Sequence, residues 1–297
     1  MTKPDILCIG SVLWDVIGRS PAAMRLGSDV PGRITRLPGG VALNIAMTLR
    51  RFGLTPVLLS AVGQDAEGAE LVQRCIDMGL ITDHLYRSVD LPTDVYMAIE
   101  GANGLIAAIA DAHSLEAAGD RILAPLSDGR LGRPDAAFSG LIALDGNLTE
   151  SLLGTIAISP LFAAADLRVA PASPGKAERL MPLLRHPSAT LYVNLEEAGI
   201  LTKEPCKTAA EAAEAMLARG AARVLVTNGG QLCAEGTQGQ GILTAMPPQV
   251  MVTRVTGAGD TFMAAHIVAS RKGADRQTAL TRAITAAADY VSGEIGT

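Results

Sequence analysis

Cysteine is scarce and scattered. The four present, Cys8, Cys75, Cys206 and Cys233, lie far apart with no Cys-x-x-Cys pair. That spacing indicates neither a zinc site nor a disulfide framework, and leaves buried free thiols as the expectation. No run of 18 apolar residues occurs, so no membrane-spanning helix is expected. The opening Met1-Thr2-Lys3-Pro4-Asp5 leads straight into an apolar run without a secretory pattern, which points to a cytoplasmic protein. Basic residues do not predominate: 25 Lys and Arg against 30 Asp and Glu give a net charge of −5, with a pI near 5.4. This argues against a nucleic-acid backbone as the main partner. The first apolar run opens onto Gly10-Ser11-Val12-Leu13-Trp14-Asp15 with no Gly-x-Gly-x-x-Gly, which argues against a dinucleotide-dependent oxidoreductase.

What is present is a long apolar chain of 297 residues, 48% hydrophobic, able to bury a substantial core as one large α/β domain or two smaller ones. Its centre of interest is Arg254-Val255-Thr256-Gly257-Ala258-Gly259-Asp260-Thr261-Phe262. A strand-like run, Ala245 to Thr256, precedes three small residues, and a helical run follows. Glycine at a helix mouth lets backbone approach a ligand closely, and the first N–H groups of a helix lack internal partners. Such donors, helped by the helix dipole, suit a phosphate or a developing oxyanion. A carboxylate there, Asp260, would repel a bound phosphate unless it takes a proton from an attacking hydroxyl. Taken alone, the same pattern also fits an acidic residue favouring a helix dipole.

Upstream, Ile6 to Ser11 reads as a buried parallel strand ending at a site, with Asp15 among apolar neighbours just beyond it. Pro31 to Leu37 alternates as a half-exposed strand of a small lid sheet. Gly39-Gly40 opens a helix that ends at Gly53, and Asn44 lies one turn inside it despite its low helix propensity. Two apolar runs flank Gly101 to Gly104 as a hairpin, with His113 at its exit as a solvated loop residue. Asp15, just past the first strand, and Asp145 and Asp166, each at the carboxyl end of a strand, are expected to converge on the edge where doubly wound sheets bind ligands, though any one of them could equally be a helix cap. Asn194-x-x-Glu197, at the end of another strand-like run, fits a capped helix start.

Thr256-Gly257-Ala258-Gly259-Asp260 resembles the carboxyl-terminal motif of the ribokinase-like (phosphofructokinase B type) carbohydrate and nucleoside kinases, and Gly39-Gly40 with Asn44 resembles their amino-terminal motif. The resemblance runs from about Ile6 to Ser292. It implies a three-layer α/β/α fold with a mostly parallel central sheet, in one domain whose lid strands come from about residues 12–38 and 91–112. It implies an ATP-dependent kinase with Asp260 as catalytic base and the amides of Gly257, Ala258 and Gly259 as anion hole. Asp15, Gly39, Gly40 and Asn44 would hold a sugar or nucleoside, and Thr227, Gly229, Gly230 and Thr256 the nucleotide. Asn194 and Glu197 would orient magnesium-bound water. Leu13 stands where the family often has an Asn, removing part of the usual polar contact. Most sugar kinases of the family begin the last motif with Asp-Thr; here Arg254-Val255 counts against the monovalent-cation site associated with that Asp. Pro31-Gly32-Arg33-Ile34, Leu58 to Gly63 and Asp145-Gly146-Asn147 resemble the pseudouridine kinase branch most. Another sugar or nucleoside as acceptor, or a binding protein without turnover, stays open, as does pairing of two copies into a homodimer through the lid.

Overall fold

The structure, a computed structural model, describes residues 4–25 and 27–294. In chain order the first elements are β1 (Ile6–Ile9), β2 (Leu13–Arg19), β3 (Arg33–Gly39), α1 (Val41–Arg51), β4 (Pro56–Leu59), β5 (Ala61–Gly63), α2 (Ala66–Asp77) and β6 (Tyr86–Ser88). There follow β7 (Val95–Gly101), β8 (Gly104–Asp111), α3 (His113–Ala118), β9 (Leu141–Asp145), α4 (Glu150–Ile158), β10 (Asp166–Ala170) and β11 (Ala189–Asn194). The remainder is α5 (Leu195–Thr202), α6 (Ala209–Ala218), β12 (Arg223–Thr227), β13 (Cys233–Thr237), β14 (Gly241–Ala245), α7 (Ala258–Arg271) and α8 (Arg276–Ser292).

The large sheet has the order β14-β13-β12-β11-β10-β9-β1-β4. Its strands run parallel from β4 to β12, and only β13 and β14 are antiparallel. Helices on both faces explain why β1 and β4 are apolar at every position rather than alternating. On β1, Leu7 and Ile9 join a core with Leu153 of α4 and Met216 of α6. Ile6 and Cys8 join a second core with Ile45 of α1, Leu71 of α2, Met263 of α7 and Leu280 of α8. These two cores on opposite sides of one sheet are the three-layer α/β/α arrangement. Truncating one of these fully buried residues, such as Leu7→Ala, is worth about 2–5 kcal/mol.

A separate four-stranded sheet, ordered β3-β2-β7-β8, forms the lid. Its turn at Gly101 to Gly104 closes the hairpin read from the sequence. One strand of it, β2, carries Asp15 opposite Leu37 of β3 and beside Tyr96 of β7. Apolar side chains remain exposed on this sheet, including Ile34 (79%), Leu105 (60%) and Ile109 (69%).

Three expectations need correction. Residues 246–256 are not a strand: regular structure ends at Ala245, and Pro247-Pro248 has no N–H groups to continue a ladder. Asp166 opens β10 instead of closing a strand, and it pairs with Arg168 at 2.7 Å, so it lies at the edge away from the site. The strand ending in Asp145, expected from its composition to start at Ala136, begins at Leu141. All four cysteines are free, as expected, but only Cys8, Cys75 and Cys233 are buried; Cys206 is partly exposed.

Candidate active site

Because β1, β9, β11 and β12 are parallel, their carboxyl ends bring Gly10-Ser11, Asp145, Asn194 and Thr227 to one edge of the sheet. Asn194 and Thr227 sit opposite each other in register. The mouths of α1 and α7 meet at this edge. Asn44, in the first turns of α1, donates its side-chain N–H to Asp260 Oδ2 at 3.1 Å. This contact joins residues 216 positions apart and explains a poor helix former inside α1.

The glycines ahead of α1 are required by close contacts. A Cβ at Gly39 would fall 2.1 Å from Asp15 Oδ2, so the carboxylate lies directly against this backbone. Gly40 has φ 98°, and a Cβ there would lie 2.5 Å from the carbonyl oxygen of Ser11. Among the described residues the Asp15 side chain has no hydrogen-bond partner, and burial pushes its pKa up to about 6. It is a carboxylic acid without an internal use, facing the space over Gly39.

Gly257, at φ 89°, caps α7. A side chain there would meet the Tyr290 hydroxyl at 2.6 Å, and that hydroxyl donates to the Thr256 carbonyl at 2.9 Å. Of the expected anion-hole amides, that of Ala258 is turned inward to the Val255 carbonyl at 3.0 Å. It closes the turn, so it is not available as a donor. Among the described residues the N–H groups of Gly259 and Asp260 have no partner, and nothing lies within 4 Å of where a Gly259 Cβ would be. The Gly257 N–H likewise has no partner among the described residues, so of the three expected amides only that of Ala258 is taken up, and Asp260 adds a donor.

Burial raises the Asp260 pKa to about 7, opposed by the hydrogen bond from Asn44 and supported by the neighbouring charges of Asp145, Asp15 and Glu197. Asp15, Asp145 and Glu197 thus all lie near enough to Asp260 to act on its charge. Of the four, Asp145 is fully buried and taken up by hydrogen bonds within the protein.

Asn194 and Glu197 form a capping box: the Glu197 amide donates to Asn194 Oδ1 at 2.8 Å, and the Asn194 amide to Glu197 Oε2 at 2.8 Å. Among the described residues Glu197 keeps one oxygen free of protein partners, and burial pushes its pKa to about 7. Among the described residues no cluster of three His, Cys, Asp or Glu side chains could hold a metal ion directly. Thr227 is half-buried, and both Gly229, at φ 54°, and Gly230 face open space. His113 is exposed and paired with Asp111 at 2.7 Å, away from this constellation.

Ser11, Tyr290 and Lys176 did not stand out in the sequence. Tyr290 lies 34 positions beyond Thr256, so no local pattern links them. Only the Gly10-Ser11 end of β1 carried a readable signal.

The profile of the pfkB family of carbohydrate kinases matches residues 3–294. The chain belongs to the pfkB family. It is 29% identical over 271 residues to the pseudouridine kinase of Escherichia coli (strain K12), covering 88% of this chain and 82% of that protein. It is 26% identical over 290 residues to the ribokinase of Bacillus subtilis (strain 168), covering 95% and 91%. The structure of Arabidopsis thaliana ribokinase complexed with ribose and ATP superposes with a TM-score of 0.79 over 100% of this chain and 94% of that one, at 21% identity, a likeness of fold. As a pfkB-family kinase the chain is an ATP-dependent phosphotransferase acting on a sugar or nucleoside. Among its described residues no helix is long and apolar enough to cross a membrane.

Proposed function

We propose that this pfkB-family kinase transfers the γ-phosphate of ATP to the 5′-hydroxyl of a ribonucleoside, with pseudouridine the first candidate. The observation that carries this reading is Asp260. Its carboxylate, held by Asn44 at 3.1 Å, stands beside the free amides of Gly259 and Asp260 at the mouth of α7.

In this reading Asp15, Gly39, Gly40 and Asn44 hold the ribose. Asp15 and Asn44 bind its hydroxyls, and the bare glycine backbone allows the ring to approach closely. Asp260 takes the proton of the attacking hydroxyl, and the two free amides receive the phosphoryl oxygens, placing positive dipoles where charge develops. Gly257 sets the turn that exposes those amides. Thr227, Gly229, Gly230 and Thr256 border the nucleotide. Magnesium, when bound, neutralises phosphate charge, with Asn194 and Glu197 positioned to accept hydrogen bonds from its waters.

Arg254 stands where most sugar kinases of the family carry the Asp associated with a monovalent cation. Its guanidinium lies 3.9 Å over the Tyr290 ring and its Nε donates to the Tyr290 carbonyl at 2.8 Å. A fixed positive charge there supports an anion loop that is ordered without a monovalent ion. The exposed apolar side chains of the lid support pairing of two copies through that sheet, and use of ATP fits a cytoplasmic enzyme.

The similarity to a pseudouridine kinase favours a nucleoside, whereas the fuller coverage of a ribokinase favours a free sugar as the second reading. Phosphate transfer to pseudouridine, uridine, ribose and adenosine, measured side by side, tests the choice. Pseudouridine should give the highest kcat/KM, and a preference for ribose would replace the first reading by the second.

A further inference from the structure

Asp145 has no exposed surface, yet donors reach it from three separate parts of the chain. Ser11 donates its amide to Oδ2 at 2.8 Å and its hydroxyl at 2.5 Å. The amide of Ala42, in the first turn of α1, donates to the same oxygen at 3.3 Å. Asn147 donates its backbone amide to Oδ1 at 2.7 Å and its side-chain N–H to Oδ1 at 3.0 Å and Oδ2 at 3.3 Å. Every partner is a donor, which suits an acceptor-only carboxylate facing the positive end of a helix. The fit also explains Gly10, where a Cβ would lie 2.3 Å from that of Asp145.

The network extends in both directions. The Ser11 hydroxyl accepts from the Val41 amide at 2.9 Å, a second contact to the mouth of α1. On the other side Asn147 Oδ1 accepts from Lys176 Nζ at 2.5 Å, and the Asn147 carbonyl accepts from Arg179 at 3.1 Å. The helix pinned in this way is the one that carries Asn44, and Asn44 holds Asp260. Nothing of Asp145 is left to touch a substrate.

We propose, resting on the phosphoryl-transfer reading of the site, that Asp145 is a positioning residue: it pins the mouth of α1 against the ends of β1 and β9 and thereby fixes where Asn44 holds Asp260. Its charge has a second consequence, because Asp260 is faced by Asn44 from α1, Asp15 from β2, Asp145 from the end of β9 and Glu197 from α5. Asp145 itself faces Ser11, the amides of α1, Asn147 and the nearby charge of Lys176.

The test is Asp145→Asn in the full chain, with carbon-13 NMR titration of the Asp260 carboxylate and kcat and KM measured from pH 5 to 9. The Asp260 midpoint should fall by about 0.5–1 unit as the like charge is removed. Wild-type kcat should exceed that of the variant about tenfold or more at pH 8, with acceptor KM changed less than threefold. A merely structural role would lower the folded fraction and leave the midpoint in place. An unshifted midpoint, or wild-type kcat, overturns the proposal. Ser11→Ala removes three hydrogen bonds, one to Asp145 and one each from Val41 and Asn147, but keeps the charge, so it serves where Asp145→Asn fails to fold: it should lower kcat at least fivefold with an unmoved midpoint, and wild-type kcat in it also overturns the proposal. The titration needs no turnover, so a wild-type chain inactive on every acceptor would sink the kinase reading while the midpoint still decides this one.

Discussion

The side-chain amide of Asn44 donates to the carboxylate of Asp260 across 3.1 Å, joining the first turns of α1 and α7. Both residues occupy helix mouths; Asp260 suits the positive end of α7, whereas Asn44 is a poor choice inside α1 on propensity alone. The contact makes sense of the pair: one helix aims the group that the other holds.

The pH dependence of turnover follows from that carboxylate. Asp260 must be ionised to accept a proton, and burial followed by neighbouring negative charge has raised its pKa to about 7. Activity should therefore rise with pH through about 7, falling roughly tenfold per unit on the acid side. A kcat profile between pH 5 and 9 checks this; a limb near 4 would mean the base is another, unperturbed carboxylate.

Stability should move the other way. An acid whose pKa is raised on folding holds its proton more tightly when folded, so the fold is favoured below the unfolded value and loses stability as pH rises from 3.8 through about 7. At about 1.4 kcal/mol per unit, the penalty at pH 8 is on the order of 4 kcal/mol. Asp260→Asn should consequently melt higher than wild type at pH 8, with the gap narrowing toward pH 4. Equal melting curves at both pH values would contradict the burial of this charge.

Gly259→Ala separates function from folding. Nothing lies within 4 Å of where the Cβ would stand, and alanine favours a helix by about 0.5–1 kcal/mol over glycine. Stability should be unchanged or slightly higher, while kcat falls about tenfold or more because the methyl occupies the space before the free amides. Gly39→Ala should instead raise acceptor KM, since its Cβ would displace Asp15. Denaturant melts and steady-state kinetics on both variants decide the matter.

Much of this site was legible in the sequence because its parts lie on strand ends and helix mouths with short, local patterns. Gly39-Gly40 with Asn44, and Gly257 to Asp260, are of that kind. The exact donors were not: Ala258 turns its amide to Val255 because the capping turn closes there, a backbone detail that composition does not carry. Asp145 read as a ligand at a strand end, whereas folding brought Ser11, Ala42 and Asn147 around it. Asp166 failed because a short 3₁₀ turn, Pro160–Phe162, stands where a strand was expected, which moves the aspartate to the start of β10. The clamp of Tyr290 on Thr256 bridges two distant segments and has no local signal at all.

Arg254 stacks on Tyr290 at 3.9 Å, so activity should be the same in potassium and in tetramethylammonium salts at constant ionic strength. Removing the guanidinium with Arg254→Ala should lower kcat severalfold in both. A wild-type requirement for potassium would show that the arginine does not take the place of a cation.

The most direct test of the account is phosphate transfer by Asp260→Asn beside wild type, at pH 8 with ATP and the best acceptor of the panel. The account predicts a loss in kcat on the order of 10³-fold, with acceptor binding and fold retained. Turnover within tenfold of wild type would contradict it, because some other group would then be taking the proton.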